Sequence, residues 1–184
     1  MFWADFHIHS NYSDGKLAIP ELVDLYGQRG FGAIAITDHL CESTTAMGKA
    51  ANLFGLTLHR HNFDAYLEEI SEQAERAWDV YKMVVLSGFE LTKNSLSNQR
   101  SAHVLALDVS QYIEAEADVV TLTRLIRDQG GLAIAAHPVS TRKFEKQTYH
   151  LWDRREELRE CFDAWEVASG PHLFDEVLSS GLPL

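Results

Sequence analysis

The chain has 184 residues, 46% of them hydrophobic, enough for a single substantial core. Its 16 Lys+Arg against 27 Asp+Glu give a formal net charge of −11 with no basic block. This argues against an extended nucleic-acid surface, and a phosphate ligand would need bound cations to reverse the local field. The two distant cysteines, Cys41 and Cys161, exclude a disulfide framework or a zinc ribbon and suit a reducing cytoplasm. No targeting segment is recognised, and no apolar run reaches the roughly 18 residues of a membrane span.

In chain order, the short β-favouring runs are FWADFHIH, GAIAITDH, MVVLSGFEL, AHVLALDV, GLAIAAHPV and AWEVAS, each bounded by Gly, Asp or Pro. Helical patterns separate them: IPELVDLYGQRG, with Pro20 near its start and Gly30 closing it; NFDAYLEEISEQAERAWDVYK; and DVVTLTRLIRDQGG. Residues 41–62 form a long connection, residues 140–163 are charged and helical in their second half, and PHLFDEVLSSG reads as a last helix. The alternation predicts an α/β fold with a largely parallel sheet, open or closed into a barrel. A single domain over residues 1–184 is expected.

On a strand Asp5, His7 and His9 share one face, so two imidazoles can reach one metal ion while Asp5 orients a ligand ring from behind. The pair His59 and His61 has the same spacing in a polar connection, without a strand or an in-phase carboxylate, and reads as a surface pair. Asp38, His39, Glu90 and His137 each end an apolar run, the end at which parallel α/β folds assemble active sites. His103 begins its run and would join them if its strand runs antiparallel. Imidazole and carboxylate without thiolate suit zinc, manganese or iron, and Glu90 could bridge two ions. Two such ions form a clamp for phosphoester hydrolysis, with a bound water or hydroxide as nucleophile.

These residues resemble the polymerase-and-histidinol-phosphatase (PHP) domain family. Its opening motif looks like D-x-H-x-H-S-x-x-S-D-G, matched by Asp5, His7, His9, Ser10, Ser13, Asp14 and Gly15, and its later motifs are similar to AIAITDH, Glu90, AHVLAL and AHP. The resemblance implies a distorted (β/α)7 barrel with two or three divalent ions. By analogy His7, His9 and Glu90 would hold one, Glu90, His103 and His137 a second, and Asp14 and His39 a third, with Asp38 in support.

The family's closing Asp-x-His motif is not found before SSGLPL, so a six-stranded, truncated barrel is expected, with a homodimer covering its open edge. Arg142, with Lys143, and Arg100 are candidate phosphate contacts. The reading is a metal-dependent phosphoesterase acting on a phosphorylated small molecule or nucleotide; the alternative is a catalytically impaired metal-binding scaffold or interaction module.

Overall fold

A computed structural model describes residues 2–94, 101–139 and 149–184. Its main sheet contains β1 (Ala4–Ile8), β2 (Ala33–Ile36), β3 (His39–Cys41), β4 (Val84–Lys93), β5 (Ala102–Leu107), β6 (Leu132–Ala135) and β7 (Ala164–Trp165). The order is β1-β2-β4-β5-β6-β7, with β3 pairing to the second half of the long β4. All pairings are parallel except those of β5, which runs antiparallel to both β4 and β6. The expected largely parallel sheet is therefore present with one reversed strand, and it curls into a half barrel whose edges are β1 and β7.

The helices are α1 (Ile19–Gln28), α2 (Ala46–Leu53), α3 (Arg60–Tyr81), α4 (Val119–Arg127), α5 (Tyr149–Asp153), α6 (Arg155–Leu158) and α7 (Asp175–Leu178). Their ends follow local chemistry. Glu21 accepts a hydrogen bond from the Ala18 N–H ahead of α1 (2.8 Å), and the Asp118 carboxylate accepts one from the Thr121 N–H at the start of α4 (3.0 Å). Past α1, Gly30 adopts φ +77°, a conformation that costs glycine little.

Alternation along β4 separates the two faces of the sheet. Phe89 and Leu91 are fully buried in the core shared with α3, where Phe63 meets Phe89 edge to face at 5.4 Å, while Glu90 faces the inside of the curl. Tyr66 of α3 is also fully buried, and its hydroxyl reaches the Ile36 and Gly88 carbonyls, tying the helix layer to β2 and β4. Inside the curl, Leu86, Leu105, Leu107 and Ile134 line an apolar cavity of ≈ 460 Å³ that His7 and Glu166 border.

The structure fills in one segment that the pattern left open and corrects two local expectations. The connection over 41–62 contains α2 and the first turn of α3, because Thr45 can cap a helix by accepting from the Gly48 N–H (3.0 Å). AWEVAS forms only the two residues of β7 before β8 (Ala168–Ser169). The expected helix PHLFDEVLSSG begins instead as β9 (His172–Leu173), paired antiparallel with β8 around Gly170, whose φ is +55°, and is helical only over α7. No helix among the described residues is long and apolar enough to cross a membrane.

Candidate metal centre

The parallel direction of β1, β2, β4, β6 and β7 brings one end of each to the same rim, and the reversal of β5 brings its first residues there too. His7 and His9 come from the end of β1, His39 from the start of β3, His103 from the start of β5, and His137 from the residue pair following β6. His39 lies directly opposite Glu90 in the β3–β4 register, and Thr92 opposite His103 across β4–β5. The reversed strand is what admits His103.

Glu90 is the hub, with no solvent exposure. Its Oε1 lies 2.8 Å from His103 Nδ1 and 3.1 Å from His137 Nε2; its Oε2 lies 2.7 Å from His39 Nδ1, 3.3 Å from His9 Nε2 and 3.6 Å from His7 Nε2. One buried carboxylate thus faces five imidazoles. Yet Glu90 Oε2 and His9 Nε2 are buried without a hydrogen bond, which is costly for polar atoms that nothing else engages. Two sets of ligand atoms lie within 4.8 Å of one another: His7, Glu90 and His137, and His9, His39 and Glu90. Converging lone pairs, buried and shared through one carboxylate, fit divalent cations.

The outer nitrogens of two imidazoles are fixed by carboxylates. His7 Nδ1 donates to Glu166 Oε1 (3.0 Å), and His9 Nδ1 donates to Asp14 Oδ1 (2.7 Å). Each contact leaves the Nε2 lone pair facing Glu90, the arrangement by which proteins orient metal-binding histidines. Glu166 also accepts from the backbone N–H of His137, whose φ of +28° is strained for a non-glycine residue. Asp14 Oδ2 lies 3.7 Å from His39 Nε2, and its side chain is half exposed. His103 Nε2 meets Asn94 Oδ1 at 3.2 Å.

The electrostatics favour positive charge at the hub. Burial works against protonating His7, but Glu90 and Glu166 outweigh it and raise its pKa to about 10. Burial opposes protonation of His39 and His9 as well, yet the carboxylates beside them raise both. Burial dominates at His103 and lowers its pKa. Glu90, despite the cost of burying its charge, is held well below the usual carboxylate range by the surrounding imidazoles, and hydrogen bonds to His39 and His9 depress Asp14. Protons occupy here the positions that suit cations.

Asp38 is buried and holds the loop after β1. Its Oδ1 accepts from the Ser10 N–H (2.9 Å) and the Ser13 hydroxyl (2.6 Å), and its Oδ2 from the Ser10 hydroxyl (2.7 Å). Asp5 does not reach an imidazole. It accepts from the His7 N–H (3.2 Å) and the Tyr26 hydroxyl on α1 (2.8 Å). A register shift lies between Asp5 and Ile8 in the pairing with β2, and the Asp5 carboxylate is engaged by Tyr26 of α1 rather than by a ring.

By mutual distance among the described residues, His7 groups with Glu90 and His137, and His9 with His39 and Glu90, whereas the resemblance implied His7, His9 and Glu90 for one ion and Glu90, His103 and His137 for a second. His59 and His61 stack on each other at 5.1 Å at the start of α3, away from this cluster. Arg100, Arg142 and Lys143 lie outside the described residues. Glu166, one residue past β7, is the member of the cluster that the sequence reading did not single out. In the sequence it sits inside the run AWEVAS, and only the early end of β7 at Trp165 makes it a strand-end residue.

The PHP-domain family model matches residues 5–176, nearly the whole chain. The chain belongs to the PHP-domain family. Among solved structures, this PHP domain is similar to a two-domain protein containing a predicted PHP-like metal-dependent phosphoesterase from Bacteroides vulgatus, with 23% identity and a TM-score of 0.59 over 96% of this chain and 47% of that one. It is also similar to an amidohydrolase from Chromobacterium violaceum with bound sulfate and no metal (16% identity, TM-score 0.63, 96% of this chain and 81% of that one). A third is a protein assigned as a metal-dependent phosphoesterase from Bifidobacterium adolescentis (14% identity, TM-score 0.54, 96% and 82%). The chain spans about half the length of the Bacteroides protein. These likenesses establish the PHP-like fold. No curated protein matches the sequence.

Proposed function

We propose that this PHP domain is a divalent-metal-dependent phosphoesterase acting on a phosphorylated small molecule or nucleotide. The observation that carries the reading is Glu90, a fully buried carboxylate within 3.6 Å of five imidazoles, whose Oε2 and the facing His9 Nε2 are both without a hydrogen bond. His7 and His137 on one side of Glu90, and His9 and His39 on the other, are the residues that would hold two ions. Zinc, manganese or iron suits a donor set of imidazole nitrogen and carboxylate oxygen. When bound, the ions would supply charge neutralisation for the phosphoryl group and activation of a water nucleophile.

The rest is done by the chain. Glu166 and Asp14 retain the Nδ1 protons of His7 and His9 and so fix which ring nitrogen faces inward. Asp38 holds the Ser10–Ser13 turn, which places Asp14 against His9 and His39. Asp14 and His39, which line the open recess beside the cluster, would hold a third ion.

The test is a screen of phosphomonoesters and diesters with metal-stripped protein and with protein reloaded with Mn²⁺ or Zn²⁺. Phosphate release that requires added metal and disappears in His7→Ala is expected. Reloaded protein that hydrolyses no phosphoester but cleaves amides would overturn the reading in favour of the chemistry named for the Chromobacterium neighbour.

A further inference from the structure

Beside the Glu90 cluster, α2 and the segment leading to α3 form the far wall of a recess of ≈ 250 Å³. Its near wall is Asp14, His39 and His103; its far wall is Met47, Ala51 and Leu56. The far wall is held in place by local structure. A Cβ on Gly48 would sit 1.5 Å from the Glu42 carbonyl oxygen, so α2 presses its backbone directly onto the chain leaving β3. The Cys41 N–H donates to the Thr57 hydroxyl (2.8 Å) and the Leu58 N–H to the His39 carbonyl (2.7 Å), which fasten the segment at its other end.

Met47 and Leu56 retain 37% and 41% exposure although they line a concavity, and Leu53 and Phe54 next to them are more exposed still. Apolar side chains left open around a polar centre mark a binding surface more often than a structural one. A methionine in such a wall adapts to a flat ring and makes favourable sulfur–aromatic contacts.

We propose that this recess is the leaving-group subsite of the phosphoesterase and takes a single apolar or aromatic ring, so that the substrate is an aryl or arylalkyl phosphate ester. The inference rests on the phosphoesterase reading and goes further by naming the substrate class. Size supports one ring: an apolar cavity of about 150 Å³ accommodates benzene, whereas pockets for larger ligands run from about 300 Å³ upward. Cations held at His9 and His39 would offset the anionic Asp14 and draw the phosphate to that side, leaving the ring against Met47, Ala51 and Leu56, which makes these three the residues that determine specificity.

The experiment is calorimetric titration of Mn²⁺-loaded protein with phenylphosphonate and with methylphosphonate, which share a head group and differ by the ring. Phenylphosphonate should bind about tenfold more tightly, as burial of a large part of one ring would supply. Ala51→Trp, which fills the recess, should erase that ratio, and Met47→Ala should reduce it severalfold without adding bulk. Equal binding of the two phosphonates by the wild-type protein, or an undiminished ratio in both variants, overturns the subsite and leaves the phosphoesterase reading standing. Protein that carries Mn²⁺ and binds neither phosphonate overturns both.

Discussion

Glu90→Gln keeps the shape of the hub and removes its charge. In the native protein the two carboxylate oxygens serve five imidazoles at 2.7 to 3.6 Å, and both candidate ion sites include this one residue. Structural zinc sites gather about 10–16 kcal/mol from about four ligands, so one ligand contributes about 3 kcal/mol, or about 100-fold in affinity. Because Glu90 is shared, that loss falls on both ions. The metal-free protein suffers less than the roughly 3–5 kcal/mol of a broken buried ion pair, because the imidazoles can shed their protons. The assay is competition of Mn²⁺ or Zn²⁺ against a chelator of known affinity, with urea denaturation of the stripped protein as control. A Gln variant that takes up the same number of ions at the wild-type affinity would refute the bridging role.

Glu166→Gln should lower metal affinity about 10- to 100-fold, since it loosens His7 and the His137 backbone without touching an ion, and should also lower the stability of the stripped protein at neutral pH, where Glu166 supports the protonated His7; chelator competition measures the first, and unchanged affinity would count against the orienting role. Asp38→Ala strands three donors, one N–H and two hydroxyls, each worth about 1 kcal/mol or more when buried, so urea denaturation should show a loss of about 3 kcal/mol or more; a loss under about 1 kcal/mol would contradict its place in holding the Ser10–Ser13 turn. The pH dependence follows from the shifted groups. The raised His7, His9 and His39 stabilise the stripped protein fully below the unfolded value of 6.5, and His7 loses that contribution as pH rises toward about 10. Depressed Glu90 contributes above its unfolded value of 4.5 and less as pH falls below it. Added metal needs neutral imidazoles, so the gain in melting temperature on adding Mn²⁺ should grow from pH 6 to pH 9, and a gain that shrinks over that range would be the wrong sign.

What the sequence revealed of the site depends on how local each cause is. His7, His9, His39, Glu90 and His137 were legible because each closes or directly follows a short apolar run, and parallel strands share an end. His103 was readable only conditionally: its inclusion depends on the reversal of β5, which tertiary pairing decides. Asp5 orients no ring because its carboxylate is taken by the His7 N–H and by the Tyr26 hydroxyl, a contact 21 residues away that the strand pattern does not show. Glu166 follows a strand of only two residues and meets a histidine 159 positions away, a contact that no spacing rule anticipates. No such contact explains α2, whose eight residues lie in the long connection over 41–62 to which the sequence pattern assigns no element.

The measurement closest to the central claim is anomalous diffraction at the manganese edge from crystals grown with Mn²⁺. Two peaks flanking Glu90 are expected, one in reach of His7 and His137 and the other in reach of His9 and His39. Peaks only at His59 and His61, or none at the Glu90 cluster in crystals that hold Mn²⁺ elsewhere, would contradict it.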